Sequence, residues 1–266
     1  ARDTATGCHG GGAFSPLNAP CTVSWIRHSA PGRGDFRSRT VSRKIWGPDR
    51  GDSRSTPRSY SSFRKAAPLS QSKIHIIGIG DDGLQGLTAA ASSRVAEAEL
   101  LIGAKQALVL VKSPAERYEF AGDLEAVIRK LQAAGDKRIV MLASGDPMFY
   151  GTARFLCDRL GKDRFEVTPH VSSMQLAFAR VKESWDEAYL TNLATQSLER
   201  VVERTRTAEK VGLFTTEQVS PAAVAKALLE RKLDYFFAYI CENLGSPDER
   251  VTQSELPDIL GQEFSP

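Results

Sequence analysis

The chain reads as an α/β protein of two lobes behind a disordered basic leader, and three observations predict this. From Lys73 onward, short apolar runs alternate with amphipathic helical stretches, the pattern of βα units around a mostly parallel sheet. The alternation restarts with different punctuation after a boundary near Pro169, so residues 73–168 and 169–266 divide into two α/β lobes. Residues 1–72 are rich in Arg, Ser, Gly and Pro and lack apolar periodicity. Such a segment buries too little apolar surface to offset its ordering entropy.

Taken in order, Ile74-His75-Ile76-Ile77-Gly78 is a short apolar strand. Thr88 supplies an N-cap for a helix to about Ala98, because its hydroxyl accepts from a free N–H of the first turn. Leu100-Leu101-Ile102-Gly103 is a second strand, and Lys105 to Val111 a short helix. Asp123 caps a helix that ends at Gly135, a residue at ease in the left-handed conformation that closes helices. Ile139–Ala143 is a buried strand, followed by a helix from about Tyr150 to Leu160 and by the strand Phe165–Thr168. In the second lobe, Ser172-Ser173 precede a helix Met174–Val181, Tyr189–Asn192 is extended, and Leu198–Arg206 is helical. Val211–Phe214 is a strand, Ser220-Pro221 open a helix to about Arg231, and Tyr235–Cys241 is a strongly apolar strand.

Composition narrows the class. The net charge of +3 conceals an asymmetry: residues 1–72 carry 12 Lys and Arg against 4 Asp, whereas the remainder holds 23 basic and 28 acidic residues. The basic character therefore belongs to the leader, so the folded part gives no reason to expect a nucleic-acid partner. The leader reads as disordered, with a misassigned reading frame, a targeting segment or a basic arm that binds nucleic acid as alternatives. Cys8, Cys21, Cys157 and Cys241 are scattered, without CxxC or zinc spacing to the four His. They read as reduced structural thiols of a cytoplasmic protein, with no metal site expected. No run approaches the roughly 18 apolar residues needed to cross a bilayer.

The chemistry-bearing stretch follows the Ile139–Ala143 strand. Ser144-Gly145-Asp146-Pro147 ends it abruptly, leaving backbone N–H groups unshielded at the C-terminal end of a strand, where open α/β sheets bind small ligands. Pro147 has its φ preset for the first turn of a following helix. Asp146 is expected to organise this loop through nearby N–H groups rather than to act as a general base.

A second glycine turn, Gly78-Ile79-Gly80-Asp81-Asp82-Gly83, matches GxGxxG after a strand and raises an NAD-dependent oxidoreductase as an alternative. Physics opposes it. A pyrophosphate bound there would lie beside Asp81 and Asp82, a like-charge contact costing on the order of several kcal/mol when desolvated. A neutral or cationic ligand escapes that objection.

Three segments in order carry a family likeness: Ile76-Ile77-Gly78-Ile79-Gly80, Ala143-Ser144-Gly145-Asp146-Pro147 and Thr168-Pro169-His170-Val171-Ser172-Ser173. Together they resemble the tetrapyrrole methylases, class III-type enzymes with two α/β lobes and S-adenosylmethionine in the cleft between them. The stretches Gly80-Asp81-Asp82-Gly83-Leu84, Asp146-Pro147-Met148-Phe149-Tyr150-Gly151, Val171–Ala179 and Cys241-Glu242-Asn243-Leu244-Gly245 are similar to one branch of that family. This is the cobalamin-pathway C5-methyltransferases, acting on cobalt-precorrin-7 or forming the N-terminal half of precorrin-6Y C5,15-methyltransferase (decarboxylating).

The resemblance implies a methyltransferase of corrin-ring biosynthesis acting at C5, S-adenosylmethionine as cofactor, a precorrin-type tetrapyrrole substrate and a homodimer. It also implies a fused or separate C15-methylase/decarboxylase partner. Another precorrin, or a protein or RNA acceptor, is the same-fold alternative. Cofactor contacts are expected from Gly80, from Ser144, Gly145, Asp146, Pro147 and Met148, and from Tyr150. Ser172, Ser173, Thr215 and Glu242 complete that set. Asp81 and Lys105 are the expected substrate contacts, and no catalytic residue is assigned. Two stretches depart from the branch: Gly103-Ala104-Lys105-Gln106-Ala107 stands where Arg-His is common, and Asn192-Leu193-Ala194-Thr195-Gln196 where His-Gly-Arg is common. Lys105 is expected to keep a positive charge at the first. The family usually runs on into a final strand beyond Phe264-Ser265-Pro266, so truncation of the second lobe is expected.

Overall fold

The computed structural model describes residues 23–28 and 73–264. Two five-stranded sheets organise them. The first contains β2 (Ile74–Ile79), β3 (Leu100–Gly103), β4 (Glu116–Glu119), β5 (Ile139–Ser144) and β6 (Phe165–Thr168). Its order is β4-β3-β5-β2-β6 and every pairing is parallel. Parallel strands need crossovers, and the helices supply them: α1 (Ala89–Ala96), α2 (Lys105–Val109), α3 (Leu124–Ala133) and α4 (Ala153–Leu160). The caps expected at Thr88 and Asp123 form, accepting from Ala91 N–H at 3.2 Å and Ala126 N–H at 3.0 Å.

Alternation along β2 decides which helices cover which face. Ile74 and Ile76 pack with Val127 and Leu131 of α3 and Leu156 of α4, whereas Ile77 and Ile79 pack with Ala91 and Val95 of α1 and Leu108 of α2. The sheet is therefore covered on both faces, which explains why β2, β3 and β5 are nearly continuous apolar runs. The chain leaving β2 crosses β5 to reach β3, while the chain leaving β5 crosses β2 to reach β6. These neighbouring strands send their connections apart, and the crevice at their C-terminal ends is the place such sheets bind ligands.

The second sheet has the order β10-β9-β1-β8-β7. It comprises β1 (Val23–His28), β7 (Tyr189–Asn192), β8 (Lys210–Phe214), β9 (Phe236–Glu242) and β10 (Arg250–Glu255). β7 and β8 are parallel, and β1 runs antiparallel to both β8 and β9. Helices α5 (Ser173–Val181), α6 (Leu198–Thr205), α7 (Pro221–Glu230) and α8 (Leu256–Ile259) complete the described chain. Val201, Val202, Leu228 and Ile259 pack on Val211, Leu213 and Ile240. On α5, Met174, Ala177 and Phe178 pack with Phe214 and Cys241.

Several expectations need correction. The leader is not wholly structureless, since Val23–His28 is an interior strand; the rest of residues 1–72 lies outside the described residues. The edge strands β4 and β10 escape a search for apolar runs because Glu116-Arg117-Tyr118-Glu119 and Arg250–Glu255 are largely exposed. The helix expected from Tyr150 starts at Ala153. Pro147 sits in a turn instead of a first helical turn, with Phe149 N–H donating to the Asp146 carbonyl at 3.1 Å. Cys157 and Cys241 are buried free thiols, and burial pushes Cys241 up to about 12. Among the described residues no helix is long and apolar enough to cross a membrane.

Candidate functional site

Three loops converge at the crevice. Gly78, near the end of β2, is approached so closely that a Cβ there would lie 2.0 Å from the Gly145 carbonyl oxygen and 2.5 Å from the His170 nitrogen. Two backbone bonds lock the junction: Gly145 N–H donates to the Ile79 carbonyl at 3.0 Å, and His170 N–H to the Gly145 carbonyl at 3.2 Å. Gly145 has φ +61°, a conformation open to glycine at little cost. The sequence Ser-Gly-Asp-Pro thus turns the chain back across the ends of two parallel strands.

Asp146 shapes the next few residues of the loop. Its Oδ1 accepts from Met148 N–H at 2.8 Å, a side-chain turn that fixes the backbone locally. Ser172 caps α5 in a reciprocal box: its hydroxyl accepts from Gln175 N–H at 3.2 Å, and its own N–H donates to Gln175 Oε1 at 2.9 Å. Such a box satisfies two otherwise unpaired donors and fixes the entry to α5. Tyr150 reaches across to the second sheet, donating its hydroxyl to the Leu190 carbonyl at 2.9 Å. Burial raises the Tyr150 phenol, so it remains a donor at neutral pH.

These elements line an open cavity of about 110 Å³. Ser144, Gly145, Asp146, Pro147, Tyr150, Ser172 and Ser173 all line it. Ala104, Phe120, Thr152, Asn192 and Phe214 line it too; sequence reasoning misses them, because their chain segments converge only in the fold. Asp146 carries the single charged side chain among the described lining residues. A largely apolar cavity with backbone groups, hydroxyls and one carboxylate among its described lining residues suits a ligand with apolar surface and positive charge and opposes a phosphate.

Four expected cofactor contacts are not brought to this cavity. Glu242 is 1% exposed, and both its oxygens accept from Arg250, from Nε at 2.7 Å and from the guanidinium NH2 at 2.8 Å. It is a buried ion-pair partner, with its acceptor capacity directed at arginine. Met148 turns its side chain to solvent, 51% exposed, and contributes its N–H to Asp146. Thr215 is buried just past β8, and Phe214 takes the lining position. Gly80 is crowded within its own turn: a Cβ there would lie 2.8 Å from Asp82 Oδ1 and 2.9 Å from His170 Cε1. Of the expected substrate contacts, Asp81 and Lys105 are exposed and outside the cavity lining. Lys105 nevertheless adjoins Ala104, which lines it.

Known proteins resemble this chain in sequence and in fold. The family model described as Tetrapyrrole (Corrin/Porphyrin) Methylases matches residues 73–260. Cobalt-precorrin-7 C(5)-methyltransferase of Salmonella typhimurium is 30% identical over 181 residues, covering 67% of this chain and 88% of that one. The precorrin-6Y C(5,15)-methyltransferase (decarboxylating) of Sinorhizobium sp is also 30% identical over 181 residues, which cover 44% of its length. Among solved structures, uroporphyrin-III C-methyltransferase from Thermus thermophilus, complexed with S-adenosylhomocysteine, superposes with a TM-score of 0.55. It is 18% identical, and the match covers 71% of this chain and 86% of that one.

Proposed function

The chain belongs to the tetrapyrrole (corrin/porphyrin) methylase family, and from that premise we propose that it is an S-adenosylmethionine-dependent C-methyltransferase of cobalamin biosynthesis, methylating C5 of a cobalt-precorrin-7 or precorrin-6Y type ring. The observation that carries this reading is the cavity at the end of β5, where the Asp146 carboxylate is the one charged group among the described lining residues. A methyl donor of this class brings a positive sulfonium and an amino-acid end, and both suit such a cavity. The 30% identity to the Salmonella typhimurium C(5)-methyltransferase supports the choice of acceptor.

In this proposal the backbone of Ser144–Pro147, with Ser172 and Ser173, holds the donor. When bound, S-adenosylmethionine supplies an electrophilic methyl carbon whose displacement disperses positive charge. The protein's task is then positioning. Asp146 keeps the loop folded and its charge near the cationic donor, while Phe120, Phe149 and Phe214 line the cavity with apolar surface. Gly80, Met148, Thr215 and Glu242 are left out of the donor site, and Lys105 remains proposed for the acceptor's carboxylates.

The proposal includes a cytoplasmic homodimer and a C15-methylase/decarboxylase partner acting on the same ring, both supported by the family likeness alone. Two measurements test the core of it. The full chain should bind S-adenosylhomocysteine and not NADH by isothermal titration. It should also transfer one methyl group to cobalt-precorrin-7 or its cobalt-free counterpart, read by mass spectrometry. Binding of NADH in place of S-adenosylhomocysteine would favour the oxidoreductase reading.

A further inference from the structure

Tyr150 has φ 55°, uncommon for a bulky residue and costly by about 1–3 kcal/mol. Lys182, Glu187, Lys232 and Asn243 also have positive φ; Lys182 and Lys232 lie at helix C-termini, where that conformation is routine, and Glu187 and Asn243 lie in a turn and a bend. Tyr150 lies two residues before the cap of α4, in a loop folded so tightly that a Cβ on Gly151 would stand 2.1 Å from the Pro147 carbonyl oxygen. Strain of this size persists only where surrounding contacts hold it. Here they come largely from the second sheet: the Leu190 carbonyl on β7 accepts the phenol, and the Phe214 ring on β8 lies 6.1 Å away, edge-on. Phe149 contributes a second edge contact at 4.8 Å.

The residue so held lies between two cavities. Beside the first is a second, open space to which Leu124, Phe155, Ala194 and Thr195 contribute, and Tyr150, Gly151, Thr152, Phe120 and Asn192 line both. No charged side chain lines the second cavity among the described residues. It suits the flat apolar edge of a conjugated ring whose carboxylates stay in solvent.

We propose that Tyr150 is a positioning residue: a strained partition between the two cavities that sets how an acceptor ring in the second meets the methyl donor in the first. The inference rests on the donor reading of the first cavity. In-line transfer needs the reacting atoms about 3–3.5 Å apart, and a misplacement of about 1 Å can cost on the order of 100-fold in rate. Tying this wall to β7 through the phenol stops it from drifting. A strained tyrosine held across the fold in this way has a function that donor binding alone does not require.

The test compares the full chain with Tyr150→Phe and Tyr150→Gly, using S-adenosylhomocysteine titration, thermal melting and steady-state kinetics on cobalt-precorrin-7 at saturating donor. Tyr150→Phe keeps the ring and loses one hydrogen bond, so kcat should fall about 3- to 10-fold with acceptor KM little changed. Tyr150→Gly accepts the same φ without strain but removes the wall. Its kcat should fall on the order of 100-fold and its acceptor KM should rise. In Tyr150→Phe the S-adenosylhomocysteine Kd should stay within about threefold of wild type; in Tyr150→Gly, because Tyr150 also lines the donor cavity, it should rise by much less than kcat falls. Wild-type kcat and KM in Tyr150→Gly would overturn the proposal. So would a loss of donor affinity that tracks the loss of rate, since that marks a donor contact. A wild-type chain that binds no S-adenosylhomocysteine sinks the donor reading and this inference with it.

Discussion

Gly78→Ala tests the junction that builds the cavity. The new Cβ would stand 2.0 Å from the Gly145 carbonyl oxygen, although Cβ atoms essentially never come within 3.0 Å of such neighbours. Both crowding atoms, this oxygen and the His170 nitrogen at 2.5 Å, are backbone, so no side-chain rotation relieves the clash. The Gly145 loop must retreat by about 1 Å, which stretches or breaks the Gly145–Ile79 and His170–Gly145 bonds. Two such bonds contribute about 1–3 kcal/mol, and overpacking costs about 1–3 kcal/mol more. A total near 2–6 kcal/mol leaves a protein of ordinary stability destabilised but still able to fold. Urea denaturation of the full chain should show a lower midpoint with unchanged slope. S-adenosylhomocysteine titration should show affinity down by about tenfold or more, because the displaced loop is the cavity wall. Wild-type stability together with wild-type affinity would refute the reasoning about this junction.

Other substitutions probe the remaining assignments. Asp146→Asn keeps an oxygen for Met148 N–H and loses only charge, so it should lower S-adenosylhomocysteine affinity less than Asp146→Ala. The alanine variant also loses the loop bond and should bind about 10- to 100-fold more weakly, on a charge-assisted bond of about 1.5–3 kcal/mol. Arg250→Met takes the guanidinium away from the buried Glu242 carboxylate and should cost up to about 3 kcal/mol of stability by chemical denaturation. That is the low end for a broken buried pair, because the Arg250 side chain is itself 57% exposed. The same variant should leave S-adenosylhomocysteine affinity unchanged, and a large loss would restore Glu242 to the donor site. Ile26→Pro removes a backbone N–H from β1, which pairs with neighbours on both sides; melting should reveal a loss of about 1–3 kcal/mol.

The parts of the fold legible in the sequence are those whose burial forces an apolar pattern. β2, β3 and β5 are covered on both faces, so Ile74–Ile79, Leu100–Gly103 and Ile139–Ala143 stand out from polar surroundings. β4 and β10 lie at sheet edges and carry exposed charged residues, which hide an edge strand from a search for apolar runs. β1 is hidden for a different reason. Its partners Lys210–Phe214 and Phe236–Cys241 lie more than 180 positions away in sequence, and an isolated six-residue run surrounded by Arg, Ser and Gly gives no sign of them.

The site divides in the same way. Ser144–Pro147 and Ser172-Ser173 are readable because turn and cap chemistry is local. Tyr150 stands out in the sequence beside that loop, but its positive φ depends on Leu190 and Phe214, contacts formed only across the fold. Glu242 follows a strongly apolar strand and invites a ligand role; Arg250, on the neighbouring strand β10, takes its carboxylate instead. Gly80 sits in a suggestive glycine turn, and the side chains of Asp82 and His170 occupy the space around it.

A crystal structure of the full chain with S-adenosylhomocysteine bound tests the central claim most directly. The ligand should occupy the cavity at the end of β5, against the backbone of Ser144–Pro147 and beside Ser172 and Ser173. Density for the ligand over the Gly80–Gly83 turn, or against Glu242, with that cavity empty, would contradict it.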